Sequence, residues 1–397
     1  MSSRMTPREL RAGVSLALVF GLRLFGLFVI LPVFAVYAEG LPGWNLALVG
    51  VAIGVYGLTQ AILQIPFGWI SDRLGRHEVM VAGLVLMVVG SVVCALAQSP
   101  WVVIAGRIIQ GAGAISGVAI ATVADLTRDT QRAKAMALIG STVTFSFALS
   151  FVLAPWLKAS IGVPGIFALT AVLALAAVPL VVWGVPRPER EPSAPKSPVS
   201  FRAVLADPAL LRVNVGIFVL RGVLMALFVV LPPGLVAAGL DLSGHGVLYL
   251  VAVGLGFLLG APAIFARRLS LADRPVVLGA VMVLAAGLAL AALGFQRLEA
   301  LIVALVIFFA AFNVLEARLP AIMSRHAPPS AKGSASGVYA SIQFLGTFCG
   351  AAAGGVIAET VGPVAVVQAC LAAIAAWLVV AWPMPNGPAR PAVTPNP

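Results

Sequence analysis

Charge is what this 397-residue sequence has least of: Asp, Glu, Lys and Arg make up 10% of it, with 14 acids and 25 bases. A water-soluble domain carries roughly 25% charged residues. So few charges cannot cover a soluble surface of this volume, which excludes a soluble enzyme, a disordered chain and a nucleic-acid binder. The formal charge of +11 is read instead from where each basic residue falls relative to a membrane. Cysteine is nearly missing as well. Cys94, Cys349 and Cys370 all sit in apolar runs, where a thiol acts as a small hydrophobe, so neither a disulfide framework nor a metal-ligand spacing is present. His77, His245 and His326 are far apart in the chain and form no metal cluster. H-E-x-x-H, G-x-S-x-G and the phosphate-binding P-loop are absent, which removes the enzyme classes they mark and an ATP-driven pump built in one chain. No cofactor or metal is called for.

Apolar residues fill the space that charge leaves: 61% of the chain is hydrophobic, with a mean hydropathy of +1.07. A helix needs about 20 apolar residues to cross the hydrocarbon core. Apolar runs separated by turn-rich breaks predict twelve spans, at about 12–38, 46–70, 79–97, 101–124, 135–157, 163–185, 210–237, 244–266, 275–295, 299–324, 333–358 and 362–382. The basic start, with Arg4, Arg8 and Arg11, resembles a signal peptide, but the run continues through Arg23 to Tyr37 without an A-x-A-like site and is read as the first span.

With the amino terminus inside, nineteen of the 25 basic residues fall in cytoplasmic segments, two (Lys158 and Arg297) outside, and four (Arg23, Arg107, Arg221 and Arg318) within spans. That asymmetry predicts a multi-pass plasma-membrane protein, here a bacterial inner membrane, with both termini cytoplasmic. The expected organisation is an N-terminal six-helix half over 1–185, a Pro-rich cytoplasmic linker over 186–209, a C-terminal half over 210–384 and a disordered tail over 385–397. The halves repeat: Phe28–Pro32 and Val51–Gly54 match Phe228–Pro232 and Val251–Gly254 at one offset of 200. Parallel six-helix halves with a midplane site between them are a transporter architecture. Duplication also argues for a monomeric rocking carrier over a channel, whose pore needs a filter or ring built from several subunits.

Two motifs carry mechanism. Gly68-Trp69-Ile70-Ser71-Asp72-Arg73-Leu74-Gly75-Arg76, after the second span, puts Gly, Asp and Arg in a tight loop able to bridge helix ends by charge. Arg107-Ile108-Ile109-Gln110-Gly111-Ala112-Gly113 places a charge inside the fourth span beside glycines that allow close helix approach. With these motifs the chain resembles the major facilitator superfamily, and within it the YajR-type branch of drug:proton antiporters. Arg23-Leu24-Phe25-Gly26, Phe312-Asn313-Val314-Leu315-Glu316-Ala317, and Lys332-Gly333 through Gly346 carry the branch. The resemblance implies an all-α membrane fold of twelve helices and proton-coupled efflux of a small molecule. Proton-coupled uptake, uniport of a metabolite, and a transporter-like sensor are the alternatives. Two departures stand out. Ala154-Pro155 occupies the place of the antiporters' Gly-Pro, and the second loop signature survives only as Arg267-Arg268 with Asp273-Arg274. The branch's soluble C-terminal domain is expected to be missing, since 14 residues follow Pro383.

The resemblance further implies a conformational latch of Gly68, Asp72, Arg73, Gly75, Arg76 and Asp125, with Asp72 meeting the helix that starts at Gly333 and Asp125 joining Arg73 or Arg76. The four in-span arginines fall on spans one, four, seven and ten, which line the cavity in this superfamily. Arg23 and Arg221, with Phe28, Asn313 and Gln343, are the substrate-cavity candidates. Arg107 has the alternative of bonding helix carbonyls, and Arg318 of snorkelling to the inner interface. Glu316 is the one carboxylate well inside a span. It is the proton-coupling candidate, with Arg107 as the preferred partner across helices or as a purely structural pair. A cavity of net positive charge favours an anionic, zwitterionic or neutral amphipathic substrate.

Overall fold

The computed structural model describes residues 5–39, 42–187, 206–264, 273–327 and 332–384. All regular structure in them is helical, as a membrane requires, because a helix satisfies its own backbone polar groups where no water can. The first six spans are Pro7–Phe28 with Leu31–Glu39, Leu46–Leu74, Arg76–Ala95, Pro100–Ala112 with Ser116–Leu126, and the long helix Asp129–Pro179, which holds two. The second six are Pro208–Ala237, Leu242–Ile264, Asp273–Leu293, Leu298–His326, Lys332–Thr360 and Pro363–Ala381. Helix starts carry their chemical signals: Thr6 and Glu9 form a reciprocal capping box, and Asn45 and Asp207 accept from the first free N–H groups.

The 51-residue helix is two spans because it turns back at Gly162, whose φ of 68° needs a residue without Cβ. Its flanks against span one show the reversal. Gly13 packs on Leu138, and Ser146 and Ser150 donate to the carbonyls of Gly21 and Phe25, so this part climbs with span one. Thr170 then donates to the Gly26 carbonyl and Arg11 reaches Gly184, so the chain descends again.

Spans one and four are each interrupted, at Val29–Ile30 and at Gly113–Ile115. The second break falls on the glycines of the in-span motif and leaves backbone groups that some side chain must satisfy.

The two halves meet at the end away from the chain termini. Gly50, Gly54 and Gly57 on span two lie against the backbone of span eleven at Ala351 with Gly355, Phe348 and Phe344, so close that a Cβ on Gly50 would stand 2.2 Å from the Ala351 carbonyl. Glu359 of span eleven caps span two by accepting from Leu46 N–H at 2.9 Å. Span five meets span eight where Gly246 packs on the Val152 carbonyl, and Phe151 sets its ring edge-on against Phe228 and Tyr249. Continuing the same two faces toward the terminal end reaches Gly68 and Gly337, where an added Cβ would meet nothing within 4 Å. The molecule is therefore sealed at one end and parted at the other. The predicted linker core (188–205), Arg267 with Arg268, and the tail lie outside the described residues.

Candidate functional site

One cluster gathers several of the predicted residues. Arg221 on span seven forms an ion pair with Glu316 on span ten. With its amide oxygen turned inward, Gln343 of span eleven accepts from Arg221 Nη2 at 3.0 Å and Nε at 3.2 Å; that orientation follows from the hydrogen-bond network. The guanidinium also stands 5.9 Å from the Phe312 ring. The Glu316 side chain is 33% exposed and that of Arg221 is 11%, so the pair is partly accessible within the membrane-spanning part. Glu316 Oε2 and the Tyr339 hydroxyl are buried without a hydrogen-bond partner. Unpartnered buried polar atoms are rare in native structures and mark strain, missing water or function.

The partner of Glu316 is thus Arg221, which corrects the expected pairing with Arg107. Arg107 stays inside the N-terminal half, 3% exposed, and donates to the carbonyls of Ala52 (3.1 Å) and Ile53 (3.4 Å) on span two and to Gln110 Oε1 (3.0 Å). Gln110 passes the network on to Ser91. The carbonyl-bonding alternative therefore describes Arg107 better. Arg23 is also corrected: at 1% exposure it lines no open cavity. It donates to the Gly113 carbonyl (3.0 Å), Ser116 Oγ (2.7 Å) and Tyr56 Oη (3.0 Å), so it fills the break in span four. Phe28 is buried and packs edge-on against Phe147. Asn313 makes a long contact to the Val253 carbonyl at 3.5 Å. Arg318 does not snorkel freely, since it donates to the Ala263 carbonyl at 2.7 Å and pairs with Asp273 at 3.3 Å.

At the parted end, Arg76 pairs with Asp72 at 2.7 Å and with Asp125 at 3.1 Å, and donates to Ser71 Oγ. Asp125 thus joins Arg76, whereas Arg73 lies over the Trp69 ring at 3.7 Å. Gly75 links spans two and three at φ 115°, which explains its place in the motif. Asp72 is 62% exposed, and the side chains at the start of span eleven lie outside the described residues. The C-terminal half repeats this arrangement with signs exchanged: Asp273 at the start of span nine takes Arg325 at the end of span ten, together with Arg318. In the turn before span one enters its apolar run, Arg128 binds Glu9 at 2.8 Å and holds that carboxyl well below the usual carboxylate range.

Tyr339 is the main site residue to which sequence reasoning gave no role, and Asp273 entered it only as part of the degraded second loop signature. A signal existed for the first. Phe312 and Glu316 stand four residues apart, as do Tyr339 and Gln343, so each pair shares one helix face. Among the described residues no group of His, Cys, Asp and Glu is placed to hold a metal.

Comparison with known proteins adds three findings. Residues 16–348 match the family model described as Major Facilitator Superfamily. The chain is 40% identical to the inner membrane transport protein YajR of Escherichia coli (strain K12) over 391 residues, 97% of this chain and 86% of that one. It is 27% identical over 357 residues, 86% of each, to the multidrug resistance protein MdtH of Aeromonas hydrophila. A solved D-xylose-proton symporter superposes with a TM-score of 0.76 at 14% identity, covering 95% of this chain and 97% of that one, a likeness of fold.

Proposed function

The chain belongs to the Major Facilitator Superfamily and is a multi-pass membrane transporter, and from that premise we propose that it couples movement of a small amphipathic solute to protons by alternating access. The single observation that carries this reading is the Arg221–Glu316–Gln343 cluster, which joins spans seven, ten and eleven and is partly exposed at Glu316. Charge inside a span is expensive and marks ion or substrate pathways. A carboxylate there takes and gives protons as its partner comes and goes.

With both termini placed in the cytoplasm, the parted end faces inward and the glycine-lined seam between spans two and eleven closes the outer side. Rocking the halves would open that seam and bring Gly68 and Asp72 toward span eleven, along the faces already in register at the sealed end. In this reading Asp72, Arg73, Gly75, Arg76 and Asp125 form the latch whose contacts change between states. Arg23 and Arg107 keep the broken span four rigid behind it. Asn313 and Phe28 belong to the cavity wall, and the protein acts as a monomer.

Export is the direction favoured by the antiporter motif around Arg107 and by the multidrug relative. Uptake is the second reading, and the Arg221–Glu316 ion pair favours it for anionic solutes. The test is flux in proteoliposomes under an imposed pH gradient, with a dye reporting protons and a panel of labelled amphipathic solutes. The expected result is solute movement that reverses with the gradient and loses its proton coupling in Glu316→Gln. Equal coupled flux in that variant rejects Glu316 as the proton site.

A further inference from the structure

We infer that the Arg221–Glu316 cluster is a monoanion site tied to one proton: an anionic group takes Arg221 as Glu316 takes a proton, so anion and proton bind together. This rests on the reading of the cluster as the coupling site, and it gives the coupling the sign of symport, so for anions it departs from the export direction and goes with the uptake reading.

Charge balance in a low-dielectric place carries the argument. In the structure Arg221 and Glu316 neutralise each other. If an anion displaced Glu316 and left it ionised, the site would hold one positive and two negative charges, and an uncompensated charge inside a membrane is strongly unfavourable. With a proton on Glu316 the site again sums to zero: the Arg221–Glu316 ion pair breaks, an Arg221–ligand ion pair forms, and the proton rests on the carboxyl. A cationic solute pairing with Glu316 would leave Arg221 uncompensated beside it, so the same balance disfavours cations.

The unpartnered atoms agree with this exchange. One Glu316 oxygen meets Arg221 and the other is buried with no partner, as is the hydroxyl of Tyr339, itself 6% exposed. Both atoms have hydrogen-bonding capacity to spare for a proton and for a ligand oxygen. Glu316 is faced by Arg221 from span seven and by Tyr339 from span eleven. Arg318, on its own helix, is turned away onto Ala263 and Asp273. Phe312 beside the guanidinium is buried and stacks on Phe308 at 5.8 Å, so it backs Arg221 with packed apolar side chains. The ligand class set by the charge balance is therefore a monoanion, such as a sulfonate or carboxylate.

The test is binding of benzenesulfonate, which stays ionised, to the purified full chain between pH 5 and pH 8, with benzyl alcohol and benzyltrimethylammonium as matched neutral and cationic probes. Benzenesulfonate should bind more tightly by up to about tenfold for each pH unit lowered, taking up one proton per anion. Glu316→Gln should bind it at pH 8 as tightly as the wild type does at pH 5, without pH dependence or proton uptake, and Arg221→Gln should not bind it. The inference is overturned by a pH-independent wild-type affinity, by Glu316→Gln binding no tighter than wild type at pH 8, or by preference for the ammonium probe. If Arg221→Gln does not fold, the wild-type slope and Glu316→Gln still decide. Linked binding without flux in proteoliposomes would sink the carrier reading and leave the anion site; gradient-driven flux without linked binding would do the reverse.

Discussion

Arg23, Arg107 and Arg221 share one side chain and one membrane, yet their surroundings give them different work. Among the described residues Arg23 and Arg107 have no acid within bonding distance, and they spend their donors on carbonyls, hydroxyls and an amide. Replacing Arg23 by Met should strand the Ser116 hydroxyl and take one of two partners from the Gly113 carbonyl, which keeps Ile115 N–H, and from the Tyr56 hydroxyl, which keeps Gln60. A loss of about 1–3 kcal/mol for each unsatisfied buried group predicts a clearly lowered thermal midpoint for the purified protein. An unchanged midpoint would mean that these groups find other partners. Glu9 belongs at this scale too. Because Arg128 holds its carboxyl low, the pair's stabilisation is present above the unfolded carboxylate value, near about 4.3, and disappears as pH falls through the folded one. Glu9→Gln should therefore melt earlier than wild type at pH 7, and the gap should shrink below about pH 4. A gap independent of pH would count against the ion pair as its cause.

Among the elements, span four and the seam between spans two and eleven matter most. Span four breaks where its glycines end the first helical piece, and the guanidinium of Arg23 takes the Gly113 carbonyl. At the seam, contact is backbone to backbone. A Cβ on Gly50 would lie 2.2 Å from the Ala351 oxygen, and one on Gly350 would lie 2.0 Å from the Gly222 oxygen. The two substitutions should differ in kind. Gly50 lies between the halves, so Gly50→Val should shift the population away from the sealed-outside state, by an overpacking cost of about 1–3 kcal/mol. Engineered cysteines on the outer faces should then label faster and those on the inner faces more slowly. Gly350 packs within one half, so Gly350→Val should lower stability without changing that ratio. The four-residue spacing of Phe312 with Glu316 and of Tyr339 with Gln343 made each helix face legible in the sequence. That the two faces meet at Arg221 was not, because it depends on how three helices cross.

For the whole molecule, the charged groups at the parted end form two half-local networks of opposite polarity, Arg76 between Asp72 and Asp125, and Asp273 between Arg318 and Arg325. If the halves rock as proposed, Asp72→Asn should leave the protein inserted and folded while transport falls. Normal flux in a correctly inserted variant would remove Asp72 from the latch. A cysteine pair at Gly68 and Gly337, in a background without the native cysteines, should cross-link little in the state described here. Its yield should rise under conditions that open the outer seam, and high yield in the resting protein would contradict the parted geometry.

The sequence by itself determined that this is a twelve-span helical membrane protein, because twelve apolar runs of membrane length and a scarcity of charge admit no soluble alternative. It determined the family through motifs such as G-x-x-x-D-R-x-G-R, whose Gly75 occupies a backbone conformation that other residues avoid. Only the tertiary structure decided which arginine answers to which acid. Arg23, Arg107 and Arg221 are alike as in-span charges in a linear reading. What separates them is whether helix packing brings a carbonyl or a carboxylate within 3 Å or so of the guanidinium. That is a property of interhelical geometry, which hydrophobic periodicity does not encode.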